Sequence, residues 1–300
     1  MPPSANHRFQ FAIVILQFSI CNSLFAAGPL QLTNDGHLKR DPTFTEAGKQ
    51  IVYVSGASPI QLQLMRLKFD EAGTLKQKAT PLHEKATKSE FEPVFSPDGR
   101  FYAFVQSRGN LSLALMIRDT KEKKDAEIKP GGGFSGLRSP AIAPDNSRVL
   151  YCYPENGTQQ IFSINPQAGD KKALTASPGV NNWPCYTPDG KTIVFGATRD
   201  KNYEIYAMDA DGKNPRRLTD SPLMDIRPTV SPDGRRIAFA SGRDGNREIY
   251  VMNLDGSNVR RITNHPERDD YPAWHPDGKR LLIVSERAGR FDLYLVDAGH

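Results

Sequence analysis

The side chains able to do chemistry are few in this 300-residue chain, and they do not gather into a catalytic set. The histidines at 37, 83, 265, 275 and 300 show no metal-ligand spacing, so no metal is assigned. No Gly-x-Ser-x-Gly elbow is present to raise a serine nucleophile above a sheet. Asp209-Ala210-Asp211-Gly212 opens like a calcium loop, but it lacks the further ligands and the distal Glu such a loop needs; it reads as a hairpin turn. Arg199-Asp200 with Glu204, and Arg243-Asp244 with Glu248, are expected to form local Arg–carboxylate pairs that order loops, with Glu286-Arg287 and Asp292 a looser version. No catalytic residue and no cofactor follow from these patterns. What remains is recognition by unlike side chains at equivalent places: Asp41, Glu92, Ser139, Trp183, Arg227 and Tyr271, each directly before a proline.

Those prolines stand at 42, 93, 140, 184, 228 and 272, at spacings of 51, 47, 44, 44 and 44 residues. Each opens a copy of one unit, most clearly Arg227-Pro228-Thr229-Val230-Ser231-Pro232-Asp233-Gly234. Pro232 presets φ, Asp233 bonds nearby amides and Gly234 accepts positive φ, which makes a tight turn. Two further strands follow in each unit, Arg236 to Ala240 and Glu248 to Asn253 in this one, then a short basic-aliphatic-Thr segment such as Arg261-Ile262-Thr263. A strand-only period of about 40–50 residues predicts a β-propeller with one four-stranded blade per repeat, six in all. Each opening proline suits the first residue of an innermost strand, where a missing N–H costs no ladder bond. Gln31-Leu32-Thr33 has the form of an outermost strand with no blade before it, and the last unit has none after it. The ring is therefore expected to close by Gln31–Asn34 pairing with Leu293–Val296.

Residues 1–27 lie outside the repeat and read as a signal peptide, with an apolar run too short for a comfortable membrane span. The propeller is assigned residues 28–300. Removal of the leader leaves 38 basic against 34 acidic residues, a formal +4, with the charges mixed in hairpins such as Lys121 to Asp125; nucleic-acid binding is not expected. Cys152 and Cys185 fall in strands at different depths of neighbouring blades, and buried free thiols are the expectation.

Ser-Pro-Asp-Gly turns, Arg-Asp-Gly loops, Glu-Ile-Tyr strands and Leu-Thr outer strands together resemble the propeller repeat of the TolB family, over about residues 29–300 and most strongly from Val180 to Gly299. The resemblance implies a periplasmic or secreted protein whose partner is an envelope protein or peptide. On this reading the chain has no counterpart of the α/β domain that precedes the TolB propeller, is a monomer, and makes no stable membrane insertion once the leader is cleaved. Peptidase-associated propellers and some polysaccharide lyases share the repeat, so the alternative is a lyase or hydrolase acting on an acidic saccharide at the same mouth. The connections into each innermost strand and the loops between second and third strands open on one face, and the Pro-Asp-Gly turns on the other. Around the first face Trp183, Arg227 and Tyr271 are the favoured anchor types. Asp41 and Glu92 join them from other blades, and Asp225 and Asp270 stand close by in sequence, giving a mouth of mixed charge.

Overall fold

The computed structural model describes residues 28–299 apart from 59–60, 71–72, 77, 110–111, 130–135 and 156. The leader expected at residues 1–27 lies outside the described residues. Six four-stranded antiparallel sheets follow one another around a ring, a six-bladed β-propeller as the repeat predicts. Blade 5 is typical: its strands Asp225–Val230, Arg236–Ser241, Glu248–Asn253 and Arg260–Arg261 run in that order from the channel outwards.

The strands are apolar on both faces because each blade lies between two others. In Arg236–Ser241, Ile237 and Phe239 point towards blade 4 and meet Val194, Ile205 and Ala207. Ala238 and Ala240 point the other way, onto Trp274, Leu281 and Ile283 of blade 6. Alternate residues thus enter different cores, and each large one contributes roughly 1.5–3 kcal/mol by its burial. On the turn face the Gly234 N–H donates to the Ser231 carbonyl at 2.8 Å and the Arg235 N–H to Asp233 at 3.1 Å, as the Pro-Asp-Gly signature predicts. Gly256, at φ 93°, is required by a neighbour: a Cβ there would stand 2.7 Å from the carbonyl oxygen of Leu218 in the preceding blade.

The ring closes with the N-terminal strand. Leu30–Gln31 forms the outermost strand of blade 6, Leu30 opposite Leu295 and Gln31 opposite Tyr294. The Leu32 N–H then donates to the Leu293 carbonyl at 2.8 Å. Thr33 continues the match, accepting from the Leu293 N–H at 3.0 Å and donating to Asp292 at 2.7 Å. Thr219 bonds Ile205 and Glu204 in the same manner within blade 4, so Thr33 is the missing outer threonine of the last repeat.

The prolines depart from their expected place. Pro228 is the fourth residue of its strand, not the first, and the other five sit likewise inside the innermost strands. The reason is a β-bulge. In every blade the register to the second strand slips across the proline, between Ile226 and Thr229 in blade 5, and a bulge is a position where a strand can do without an N–H.

Candidate functional site

The same bulges build the mouth of the channel. The residue before each proline lies in the left-handed region: Asp41, Glu92, Ser139, Trp183, Arg227 and Tyr271 have φ between 49° and 55°. Non-glycine residues seldom adopt that conformation, which costs on the order of 1–3 kcal/mol each and persists only where the surroundings enforce it. Here the bulge enforces it, re-aiming one side chain per blade towards its counterparts.

These side chains form a linked series around the opening. The Arg40 guanidinium bonds Asp41 at 2.8 Å and lies 3.9 Å from Glu92 in the next blade. Glu92 accepts from the Ser139 N–H at 2.6 Å, and the Ser139 hydroxyl donates to Asn182 at 2.7 Å. Asn182 also accepts from the N–H of Trp183, whose ring packs on Tyr203 with centroids 5.0 Å apart. Arg227 lies between two aromatic faces, 5.2 Å from the Trp183 centroid and 4.1 Å from that of Tyr271. Burial, and then the nearby Asp41 carboxylate, raise Glu92 above the usual carboxylate range, against the opposing pull of the Ser139 N–H, Arg138 and Arg40. Burial likewise raises the Tyr271 phenol. Of the three residues expected as anchors from their type and equivalent position, Arg227 touches both Trp183 and Tyr271, and all three are half-buried.

Beside Tyr271 the mouth widens into a cleft of about 190 Å³ where blades 5, 6 and 1 meet. Asp270 stands in its wall, holding Arg227 at 3.1 Å and Arg247 at 2.8 Å. Arg268 lies over the Phe291 ring at 5.0 Å and has Glu286 at 3.8 Å. Arg247, Arg268 and Arg40 were not singled out from the sequence. Repeat equivalence offers a signal for one of them, since Arg247 occupies in blade 5 the place of Tyr203 in blade 4, which packs on the mouth residue Trp183.

Asp225 is placed apart from this group. It is fully buried and bonds Arg243 at 2.8 Å and lies among the blade's own strands; burial raises its carboxyl. The Arg–carboxylate pairs expected within the loops are re-sorted accordingly. Glu248 is bound by Arg261 at 3.0 Å, Glu204 by Arg217 at 3.0 Å, and Asp269 by Arg287 at 2.9 Å. The loop acids Asp200 and Asp244 instead accept from the hydroxyls of Tyr206 and Tyr250. The reason is reach: outer-strand arginines span to the third strand, which the loop arginines leave for the innermost one. His275 bonds Asp277 in its turn at 3.0 Å. Both described cysteines are free thiols, and burial pushes Cys185 up to about 12. Among the described residues no group of three or more His, Cys, Asp or Glu side chains is arranged to hold a metal ion.

A TolB beta propeller domain model matches residues 81–231, and a Tricorn protease N-terminal beta propeller domain model matches residues 209–297. TolB from Acinetobacter baumannii superposes with a TM-score of 0.63 at 23% identity, covering 84% of this chain and 65% of that one. An oligogalacturonate lyase in complex with manganese gives a TM-score of 0.58 at 15% identity over 86% of this chain and 88% of the lyase. At these identities both carry the fold alone. SVP1-like protein 2 of Emericella nidulans is 25% identical over 173 residues, 56% of this chain, and the chain spans about half (51%) of that relative's length.

Proposed function

We propose that this chain, which belongs to the TolB β-propeller domain family, is an exported, non-catalytic binding module that takes an envelope protein or peptide at the loop-rich mouth of its channel. The observation that carries the reading is the contrast between the two faces. On the turn face the Pro-Asp-Gly turn recurs in four of the six blades, whereas the mouth holds six different side chains on one repeated left-handed backbone conformation. Trp183, Arg227 and Tyr271 supply the aromatic and guanidinium anchors of a protein interface, with Asp41, Glu92 and Asp270 as charged partners around them. Asp225, closed inside blade 5 against Arg243, is left out of the binding set.

The test is capture from an envelope extract with residues 28–300 as bait, followed by titration of the captured protein. Tyr271→Ala and Arg227→Ala should each weaken binding about 30-fold, the equivalent of about 2 kcal/mol per anchor. Lys123→Ala and Asp255→Ala, on the turn face, should leave it unchanged. The reverse pattern places the site on the wrong face. The likeness of fold to oligogalacturonate lyase gives the rival a direct assay: cleavage of oligogalacturonate in the presence of manganese replaces the binding module with an enzyme.

A further inference from the structure

The cleft beside Tyr271 carries a surplus of positive charge. Five cationic side chains and one carboxylate line it. Lys39 is buried and neutralised by Asp35, and Arg40 is held by Asp41. That leaves three arginines, Arg227, Arg247 and Arg268, against two carboxylates, Asp270 and Glu286. Arg227 and Arg247 share the single carboxylate of Asp270, and Arg268 has Glu286 at 3.8 Å and the Phe291 ring at 5.0 Å. Two guanidiniums converging on one carboxylate already show how the wall receives such a group, and guanidinium forks suit carboxylates in particular. The rest of the lining is Val284, Phe291 and Leu38 together with Tyr271, whose hydroxyl accepts from Arg227 at 3.3 Å. A volume near 190 Å³ is below that of ordinary small-molecule sites, about 300–1,000 Å³, and fits one side chain of a longer ligand.

We propose that this cleft is the acidic-residue pocket of the mouth: it receives an Asp or Glu side chain of the partner, its carboxylate on Arg247 and Arg268 and its methylenes against Val284 and Phe291. The inference rests on the binding-module reading and names the partner's chemistry. A peptide side chain is favoured over a uronate because Val284, Phe291 and Leu38 cover methylenes and offer ring hydroxyls no partner.

The probe is a capped Glu-Ser repeat hexapeptide titrated calorimetrically into the purified protein at low ionic strength, beside its Gln-Ser counterpart, trigalacturonate and inorganic phosphate. The Glu peptide should bind, the Gln peptide should not, and added salt should weaken the binding. Arg247→Ala and Arg268→Ala should each cost about tenfold, as expected for a lost charge-assisted bond, and Arg235→Ala on the turn face nothing. Arg268→Gln, which keeps a stem over Phe291, stands in if the alanine variant melts early. Absence of Glu-peptide binding, or binding indifferent to Arg247 and Arg268, overturns the proposal. So does tighter binding of trigalacturonate, or displacement of the peptide by equimolar phosphate. If capture of the envelope partner depends on Tyr271 but not on Arg268, the pocket is wrong and the module stands. If the peptide needs Arg268 while capture ignores the mouth, the pocket stands and the module reading falls.

Discussion

The hydroxyl of Thr263 makes two buried hydrogen bonds at once, accepting from the Ile249 N–H at 2.9 Å and donating to Glu248. Glu248 in turn receives Arg261 at 3.0 Å and the His265 N–H at 2.7 Å, so one fully buried carboxylate ties the third strand, the outer strand and the next connection together. Thr263→Ala would leave both a backbone N–H and a carboxylate oxygen short of a partner, which costs about 1–3 kcal/mol. Urea denaturation should show that loss, while Ser257→Ala in the exposed turn should change stability by less than about 0.5 kcal/mol. An unmoved midpoint for Thr263→Ala would mean that water replaces the hydroxyl. The repeated Leu-Thr or Ile-Thr pair was legible in the sequence as an outer-strand marker. Its tie to Glu248 was not, because the two residues are 15 apart and the nearer Arg243 offers an equally plausible charge. Only the three-dimensional arrangement shows Arg243 turning to Asp225.

At the scale of the strand, the closing segment and the bulges differ in how openly the sequence declares them. Closure was readable from Gln31-Leu32-Thr33, a segment with the composition of an outer strand and no blade of its own; the pairing found begins one residue earlier, at Leu30. The bulge was not readable. A left-handed residue is ordinarily announced by Gly or Asn, and here the position holds Asp, Glu, Ser, Trp, Arg and Tyr. The pre-proline residues stand out in the sequence by their diversity, and the backbone that aims them shows only in the structure. The closing segment does more than cover an edge. Asp35 neutralises the ammonium of Lys39, which is 1% exposed, with Asp292 at 3.6 Å as the second partner. Deleting residues 29–35 removes a strand, the Thr33 bonds and that counter-charge together. It should lower stability by several kcal/mol, because it bares a sheet edge, removes both Thr33 hydrogen bonds and leaves the Lys39 ammonium with Asp292 as its remaining carboxylate. Equal urea midpoints for the truncated and intact proteins would refute this role.

For the molecule as a whole, closure decides how it comes apart. Open repeat arrays unfold from their ends as a series of neighbouring units, whereas a closed ring gives every blade two neighbours. The two tryptophans allow a direct measurement, since Trp183 lies in blade 4 and Trp274 in blade 6. Proteins retaining one or the other, made by Trp274→Phe and Trp183→Phe, should each report the same midpoint by fluorescence as by circular dichroism of that variant. In the 29–35 deletion background the Trp274 signal should fall first, because blade 6 has lost its outer strand. Simultaneous loss of both signals in that background would argue against closure as the source of cooperativity. The bulges carry a different consequence, for descent. A backbone held within six degrees of φ while bearing six unrelated side chains is indifferent to which residue it displays. On the binding-module proposal, point substitutions at these places change what is recognised while the frame is kept, and proteins with the same blades need share no ligand.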